Sequence, residues 1–177
     1  MYVCLMRHGK AEPYRDDRDD SGRALTSRGI QDVRDMASLV RRWWPDGTTR
    51  IWTSPLVRAC QTAEIMSQSL QPAAIRTDRF IGDGDLSGLY EELRALPDAD
   101  TLLIVGHQPY LDEWTAAWTG APAGFKTASL ALFSYDPYDG EPMEKENCFF
   151  ICTPAVRDCS WHGIHTDVIF TLRRFYI

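Results

Sequence analysis

Short apolar runs alternate along this chain with segments whose apolar residues recur at helical spacing. The runs at 2–6, 50–53 and 101–105 are typical of strands in a sheet, and a shorter strand is expected over 74–77. Strands that alternate with helices build a mostly parallel sheet with helices on both faces. The sequence therefore predicts an α/β protein with three layers, α/β/α.

Helical segments are expected between these strands. Thr26 is the predicted N-cap of the first helix, and Ser54 that of the second, with Pro55 at its first helical position. The predicted apolar stripe of the first helix is Ile30, Val33, Ala37, Val40 and Trp44. That of the second is Leu56, Cys60, Ala63, Met66 and Leu70. A weaker helix is expected over 86–96 and another over 109–118.

The pattern changes after residue 124. Residues 128–135 and 148–153 are predicted to form two strands around a turn at 136–142, which gives a C-terminal edge hairpin. Residues 155–177 form an atypical tail in which 168–172 is expected to be one more strand. Because no linker, repeat or low-complexity stretch interrupts the chain, we interpret residues 1–177 as a single domain.

Charge and hydropathy restrict the class of partner. The net charge is −6, which argues against a nucleic-acid binder because phosphate contacts need a basic face. No run approaches the roughly 20 apolar residues that a membrane span needs, and the apolar start is too short for a signal peptide. The cysteine count is odd and no paired spacing is present. These features predict a cytoplasmic protein.

Candidate chemical groups follow the predicted strands. Arg7 and His8 follow the first strand, Arg58 lies just after the second, and His107 follows the strand at 101–105. Ligands of parallel sheets bind beyond the carboxyl ends of the strands. Guanidinium groups match phosphate oxygens, and a neutral imidazole is a competent nucleophile near pH 7. The pattern predicts a site where His8 attacks a phosphoryl group.

Four motifs in order over about residues 1–135 strengthen this interpretation. They are Leu5-Met6-Arg7-His8-Gly9, Leu25-Thr26-Ser27-Arg28-Gly29, Thr53-Ser54-Pro55-Leu56-Val57-Arg58-Ala59-Cys60-Gln61-Thr62-Ala63 and Val105-Gly106-His107-Gln108-Pro109. On these motifs the chain resembles the histidine phosphatase superfamily, which includes the phosphoglycerate mutases. The short length and Gly82-Asp83-Gly84-Asp85 look most like the small SixA-type phosphohistidine phosphatases.

The resemblance implies roles for individual residues. His8 would be the phosphorylated nucleophile, Arg7 and Arg58 would hold the phosphate, and His107 would donate a hydrogen bond to it. It also implies that no metal or other cofactor is needed. Larger members carry a glutamate proton donor in a motif that this chain lacks. Asp85 is the best substitute, with Asp83 and Glu91 behind it.

The implied activity is that of a metal-independent phosphatase, and in its sharper form a protein phosphohistidine phosphatase. A protonated imidazole leaving group needs little help from an acid, whereas an alkoxide needs much. Three alternatives stay open: a small-molecule phosphomonoesterase, a mutase-like enzyme and a non-catalytic module that binds phosphoproteins. The expected partner is accordingly a phosphorylated protein or a small phosphorylated metabolite.

Several features have simpler interpretations beside the functional ones. Asp85 lies between glycines, where aspartate is commonly a turn residue. The acidic loop at 16–20 is typical of a solvated loop, although it could act as a lid with Arg18 or Arg23 meeting the substrate. The tail contains possible zinc ligands, but their spacing is irregular and no metal site is predicted. They are Cys148, Cys152, Cys159, His162 and His165.

Overall fold

The computed structural model describes residues 1–17, 19–42, 44–97, 100–135 and 148–152, the last range as backbone alone. Several predictions lie outside the described residues. They are the role of Arg18, the turn at 136–142, the tail at 155–177 with its strand at 168–172, and the candidate zinc ligands Cys159, His162 and His165. Of Cys148 and Cys152 only the backbone is described.

A six-stranded sheet forms the centre of the fold, in the order β3-β2-β4-β1-β5-β6. The strands are β1 (Tyr2–Arg7), β2 (Thr49–Thr53), β3 (Ala74–Thr77), β4 (Thr101–Gly106), β5 (Leu130–Ser134) and β6 (Cys148–Cys152). Strands β1 to β4 pair in parallel, while β5 runs antiparallel to β1 and β6 antiparallel to β5. The predicted mostly parallel sheet and its C-terminal edge hairpin are confirmed.

Helices cover both faces of the sheet. They are α1 (Ser27–Val40), α2 (Val57–Leu70), α3 (Arg79–Asp83), α4 (Leu86–Leu93) and α5 (Tyr110–Thr119), with a short 3-10 turn at Asp20–Gly22. Side chains of α1 and α2 form one apolar core against the sheet, and those of α3, α4 and α5 form the other. The α/β/α layering is therefore as predicted. No helix within the described ranges is both long and apolar enough to span a bilayer.

Burial on both faces explains the continuous apolar runs. In β1, Cys4 faces the core of α1 and α2, while Val3 and Leu5 face the opposite core. Every residue of β4 is buried. Removing a Leu, Ile or Val side chain from water contributes roughly 1.5–3 kcal/mol, so these two central strands fix the sheet. Their carboxyl ends are thereby held side by side.

The first helix is capped as predicted, and the second is not. Thr26 Oγ1 accepts a hydrogen bond from the backbone N–H of Gly29 at 3.0 Å. Helix α2 begins at Val57, with Leu56 at its N-cap position and no side-chain cap. Ser54 was the predicted cap, but its Oγ accepts from the N–H of Leu56 at 3.3 Å, in the turn before the helix. The prediction for Ser54 and Pro55 is therefore wrong.

This later start changes which side chains α2 buries. Leu56 and Cys60, predicted to be buried, are only half-buried. The buried set is Arg58, Ala59, Thr62, Ala63, Met66 and Leu70. An apolar stripe alone could not predict it, because the polar Arg58 and Thr62 belong to the buried face.

Two other boundaries differ from the predictions. Helix α1 ends at Val40, so Trp44 lies beyond it, where its Nε1 donates to Thr49 Oγ1 at 2.9 Å. The region predicted as one helix over 86–96 is preceded by α3, which the sequence did not indicate. Its five residues are too few to give a periodic signal.

Candidate active site

Two histidines meet at the carboxyl ends of the central strands. Arg7 ends β1 and pairs in register with Gly106 at the end of β4. The residue that follows each strand is a histidine. The ring centroids of His8 and His107 lie 5.0 Å apart, and the ring planes are inclined by 53°. Neighbouring parallel strands thus place together two side chains that are 99 positions apart in the sequence (107 − 8).

The backbone fixes the tautomer of His8. Its Nδ1 lies 2.7 Å from the carbonyl oxygen of Gly9. A carbonyl can only accept a hydrogen bond, so Nδ1 bears the proton and Nε2 keeps its lone pair. Burial, with the charges of Arg58 and Arg7, lowers the pKa of His8 to about 4, although the hydrogen bond to the Gly9 carbonyl acts in the opposite direction. His8 is therefore a neutral imidazole with a nucleophilic Nε2 at neutral pH.

The imidazole ring of His107 is buried and has no hydrogen-bond partner among the described residues, at either Nδ1 or Nε2. Burial, together with the proximity of His8 and Arg58, lowers the pKa of His107 to about 3. A neutral ring keeps one N–H donor, and a buried donor without a partner is costly unless a ligand satisfies it. His107 is suited to donate to an anion beside His8.

Arg58 is held by the loop that precedes α1. Its Nη1 donates to the backbone carbonyl of Asp20 at 2.8 Å, and its Nη2 to the Asp20 carboxylate at 2.9 Å. The other carboxylate oxygen accepts from Arg23 Nε at 2.7 Å. Arg58 Nε is buried, with no hydrogen-bond partner in the described part of the chain. One edge of this guanidinium thus engages Asp20, while Nε stays available to a ligand.

Asp20 and Arg23 were not assigned to the site from the sequence. Arg23 was considered only as part of a lid, and Asp20 only as one of several acidic residues in a solvated loop. Burial alone would raise the pKa of Asp20, but hydrogen bonds from Arg23 and Arg58 outweigh it and lower the pKa. No signal in the sequence separates Asp20 from Asp16, since only the folded loop brings one of them to Arg58.

Arg7 is oriented by a backbone carbonyl. Its Nη1 donates to the carbonyl oxygen of Phe125 at 2.9 Å. Its Nε is buried, and no residue that the structure describes accepts a hydrogen bond from it. Burial lowers the pKa of Arg7, and the charge of Asp112 acts in the opposite direction. Arg7 therefore presents a fixed cation next to His8.

Thr62 links the His8 loop to α2. Its hydroxyl accepts from the backbone N–H of Gly9 at 3.1 Å and donates to the carbonyl of Arg58 at 2.8 Å. Gly29 allows α1 to approach the same loop, since a Cβ there would lie 2.1 Å from the carbonyl oxygen of Lys10. These contacts join residues of three of the four sequence motifs around the His8 loop.

Asp85 lies at the start of α4. Its Oδ1 accepts from the N–H of Gly88 at 3.1 Å, which makes Asp85 the N-cap of that helix. It forms no hydrogen bond with the arginines and histidines described above. Asp83 and Glu91, the substitutes behind it, are exposed. The structure thus brings Arg7, His8, Arg58 and His107 together and gives Asp85 a capping contact.

In the part of the chain that the structure describes, no three His, Cys, Asp or Glu side chains cluster in a way that could hold a metal ion. Positive charge at the site comes from guanidinium groups. Arg7, Arg58 and Arg23 all lie close enough to lower the pKa of His8. The arrangement can bind a phosphate-like dianion and attack it with an imidazole.

Comparison with known proteins agrees with this geometry. The sequence profile of the histidine phosphatase superfamily (branch 1) matches residues 3–98, which is more than half of the chain. The chain therefore belongs to this superfamily. It is also 36% identical over 121 residues to an uncharacterized protein of Picosynechococcus, covering 66% of this chain and 72% of that protein.

Solved structures support the same family. The protein histidine phosphatase SixA complexed with tungstate superposes with a TM-score of 0.76 and 26% identity, covering 88% of this chain and 98% of that one. A SixA-like protein of Agrobacterium tumefaciens, described as a phosphohistidine phosphatase, has a TM-score of 0.63 and 26% identity, over 75% of this chain and 90% of that one. Among the histidine phosphatases, the chain is thus similar to the SixA type.

Proposed function

We propose that this chain is a phosphohistidine phosphatase that works through transient phosphorylation of His8 at Nε2. The observation on which the proposal rests is the contact between His8 Nδ1 and the Gly9 carbonyl, at 2.7 Å. It assigns the proton to one nitrogen and leaves the other as the nucleophile. The similarity to SixA-type structures supports the choice of substrate.

In the first step, the Nε2 lone pair of His8 attacks phosphorus. An N–P bond to His8 forms while the bond from phosphorus to the leaving imidazole breaks, and the leaving nitrogen keeps that electron pair. The Nε atoms of Arg7 and Arg58 and one N–H of His107 are donors without protein partners in the described chain. Donors of this kind stabilise the charge that the transferring phosphoryl group spreads over its oxygens.

In the second step, water attacks the phosphoryl group on His8. The new O–P bond replaces the N–P bond, and the electron pair returns to Nε2. The attacking water releases a proton to the solvent, and inorganic phosphate leaves. Since burial keeps the pKa of His8 low, at about 4, the departing ring returns to its neutral form and is ready for another cycle.

The chemistry of the leaving group favours phosphohistidine over a phosphate ester as the substrate. The carboxylate that Arg58 and Arg23 contact is that of Asp20, and their hydrogen bonds lower its pKa. A carboxylate that stays ionised at neutral pH cannot protonate an alkoxide. A phosphohistidine ring that is protonated on its other nitrogen leaves as a neutral imidazole and needs no acid. The site therefore favours a phosphoramidate.

The proposal also includes independence from metal ions. Two guanidinium groups supply the positive charge that a divalent cation provides in other phosphoryl-transfer sites. We expect turnover to be unchanged by excess EDTA after dialysis. A loss of activity that added Mg²⁺ or Zn²⁺ restores would contradict this part of the proposal.

A substrate panel tests the proposal. It compares a phosphohistidine protein, free phosphohistidine, phosphoserine and a sugar phosphate as substrates of the wild-type chain. We expect kcat/KM for phosphohistidine to exceed that for either ester by about 100-fold or more, since only the esters require an acid. Equal or faster ester hydrolysis would identify a phosphomonoesterase instead.

His8→Asn is the matched control variant. The asparagine amide retains a donor for the Gly9 carbonyl but has no nucleophile in place of Nε2. We expect it to reduce turnover of every substrate by about 10³-fold or more, as removal of a covalent nucleophile does. Binding of phosphohistidine protein without phosphate release by the wild-type chain would indicate a binding module.

A further inference from the structure

The carboxylate of Asp112, outside the candidate active site, anchors the backbone at residues 124–125, which orients Arg7. Asp112 lies in the first turn of α5. Its Oδ1 accepts from two successive backbone N–H groups, those of Gly124 at 2.8 Å and Phe125 at 3.2 Å. A single carboxylate oxygen thus ties this segment to the helix that follows His107. Charge-assisted contacts of this kind are stronger than those between neutral groups.

The carbonyl group of the same segment faces Arg7. Phe125 O accepts from Arg7 Nη1 at 2.9 Å and from Gln108 Nε2 at 3.2 Å. The Phe125 side chain is only 3% exposed and belongs to the core of α3, α4 and α5. The peptide unit is therefore held on one side by its buried ring and on the other by Asp112. Its carbonyl is left in a fixed direction.

The charge of Asp112 also acts on Arg7 directly. Arg7 is buried enough that desolvation lowers its pKa, and Asp112 is the charge that counters this effect. Asp112 therefore acts on Arg7 both through space and through the Phe125 peptide. Arg58 has its own carboxylate, Asp20, on a different segment of the chain. Each phosphate-binding arginine thus depends on a different acidic residue.

We propose that Asp112 is a positioning residue: it fixes the Phe125 carbonyl and thereby aims the Arg7 guanidinium at the anion that His8 attacks. The inference rests on the proposed function for the identity of that anion. Asp112 itself need not touch the substrate. Its effect should appear in how tightly the site holds phosphate, because Arg7 contacts the phosphoryl group before and during transfer.

Binding of inorganic phosphate, measured by calorimetry, tests the inference without requiring turnover. Asp112→Ala removes the acceptor, and we expect the Kd for phosphate to rise about tenfold. Asp112→Asn keeps an oxygen that can accept the N–H groups of Gly124 and Phe125, so its Kd should stay within about threefold of the wild-type value. Glu113→Ala, an exposed position in the same turn, is the matched control and should leave the Kd unchanged.

A double-mutant cycle separates aiming of Arg7 from a general effect on the fold. In an Arg7→Lys background no guanidinium remains to be aimed, so Asp112→Ala should change the phosphate Kd by less than about twofold. A tenfold effect in both backgrounds would overturn the inference. Should Asp112→Ala fail to fold, Asp112→Glu replaces it in the test, because glutamate keeps the charge but displaces the acceptor oxygen. A phosphate Kd raised severalfold in Asp112→Glu supports the inference, and an unchanged Kd contradicts it.

The same measurement separates this inference from the proposed function. A wild-type chain that binds phosphate but hydrolyses no substrate contradicts the proposed function, while the cycle still decides the role of Asp112. A wild-type chain that does not bind phosphate contradicts both.

Discussion

Asp20 and Arg58 are joined twice, once through the Asp20 carboxylate and once through its backbone carbonyl, at 2.9 and 2.8 Å. The contact brings a negative charge to the edge of a site built to receive a dianion. The charge of Asp20 acts on His107 as well, since it counters part of the lowering of the pKa of that ring. A bound phosphate and the Asp20 carboxylate therefore share Arg58 and repel each other.

Asp20→Asn should tighten phosphate binding. The amide keeps an oxygen for Arg58 but removes the charge that repels the dianion, so we expect the inhibition constant of inorganic phosphate to fall about threefold to tenfold at low salt. The effect should shrink at high ionic strength because the Asp20 side chain is partly exposed to solvent. Phosphate inhibition of turnover at two salt concentrations measures both effects.

Asp16→Asn is the control for this variant. Asp16 belongs to the same acidic loop but is exposed. An equal change in both variants would show that net charge alone is responsible, and weaker phosphate binding in Asp20→Asn would contradict the account.

Acid should destabilise the fold through the two buried histidines. Burial lowers the pKa of His8 to about 4 and that of His107 to about 3, from the ordinary 6.5. The unfolded chain therefore binds more protons below pH 6.5, so stability is full above that pH and is lost as the pH falls toward the folded pKa values. Within this window, each ring lowers the free energy of unfolding by up to about 1.4 kcal/mol per pH unit.

Urea unfolding at pH 7, 6 and 5 measures this loss. The free energy of unfolding should fall more steeply for the wild-type chain than for His8→Asn or His107→Asn, each of which lacks one titrating ring. Parallel pH dependences for all three proteins would show that the rings titrate normally in the folded state.

The close approach of α1 to the His8 loop should be sensitive to one methyl group. A Cβ at Gly29 would lie 2.1 Å from the carbonyl oxygen of Lys10, which is backbone and cannot turn aside. We expect Gly29→Ala to lower the free energy of unfolding by about 1–3 kcal/mol and to reduce kcat/KM, since it moves the loop. Gly22→Ala meets nothing within 4 Å, and a similar loss there would contradict the explanation.

The variant Asp85→Asn distinguishes two roles for Asp85, that of N-cap of α4 and that of proton donor to the leaving group. Asparagine is as good an N-cap as aspartate, so stability should be retained. Because the carboxylate is engaged with the N–H of Gly88, we expect turnover of phosphohistidine and of phosphoserine to stay within about twofold of the wild-type rates. A loss confined to the ester substrate would establish Asp85 as the proton donor that the sequence suggested.

Much of this architecture could be predicted because the apolar pattern of the sequence agrees with the burial of the strands in the folded protein. The apolar runs of β1 and β4 are continuous since both faces of the sheet are covered, and their parallel pairing brings His8 beside His107. The boundaries of α2 could not be predicted from periodicity. Its buried face contains Arg58 and Thr62, polar residues whose partners lie far away in the sequence.

The parts that sequence reasoning missed depend on contacts between distant segments. Asp20 is one acidic residue among several until the loop folds onto Arg58. In the sequence, Asp112 is an ordinary acidic residue in the first turn of a helix, where its charge interacts favourably with the helix dipole. Only the return of residues 124–125 to α5 reveals its contact with the backbone.

Trapping the covalent intermediate tests the central claim most directly. The chain is mixed with substrate, quenched within milliseconds under alkaline conditions that preserve phosphohistidine, and examined by peptide mass spectrometry and ³¹P NMR. The account predicts a phosphoryl group on His8, in the Nε2 isomer, and none in His8→Asn. A phosphoryl group on another residue, or on Nδ1 of His8, would contradict it.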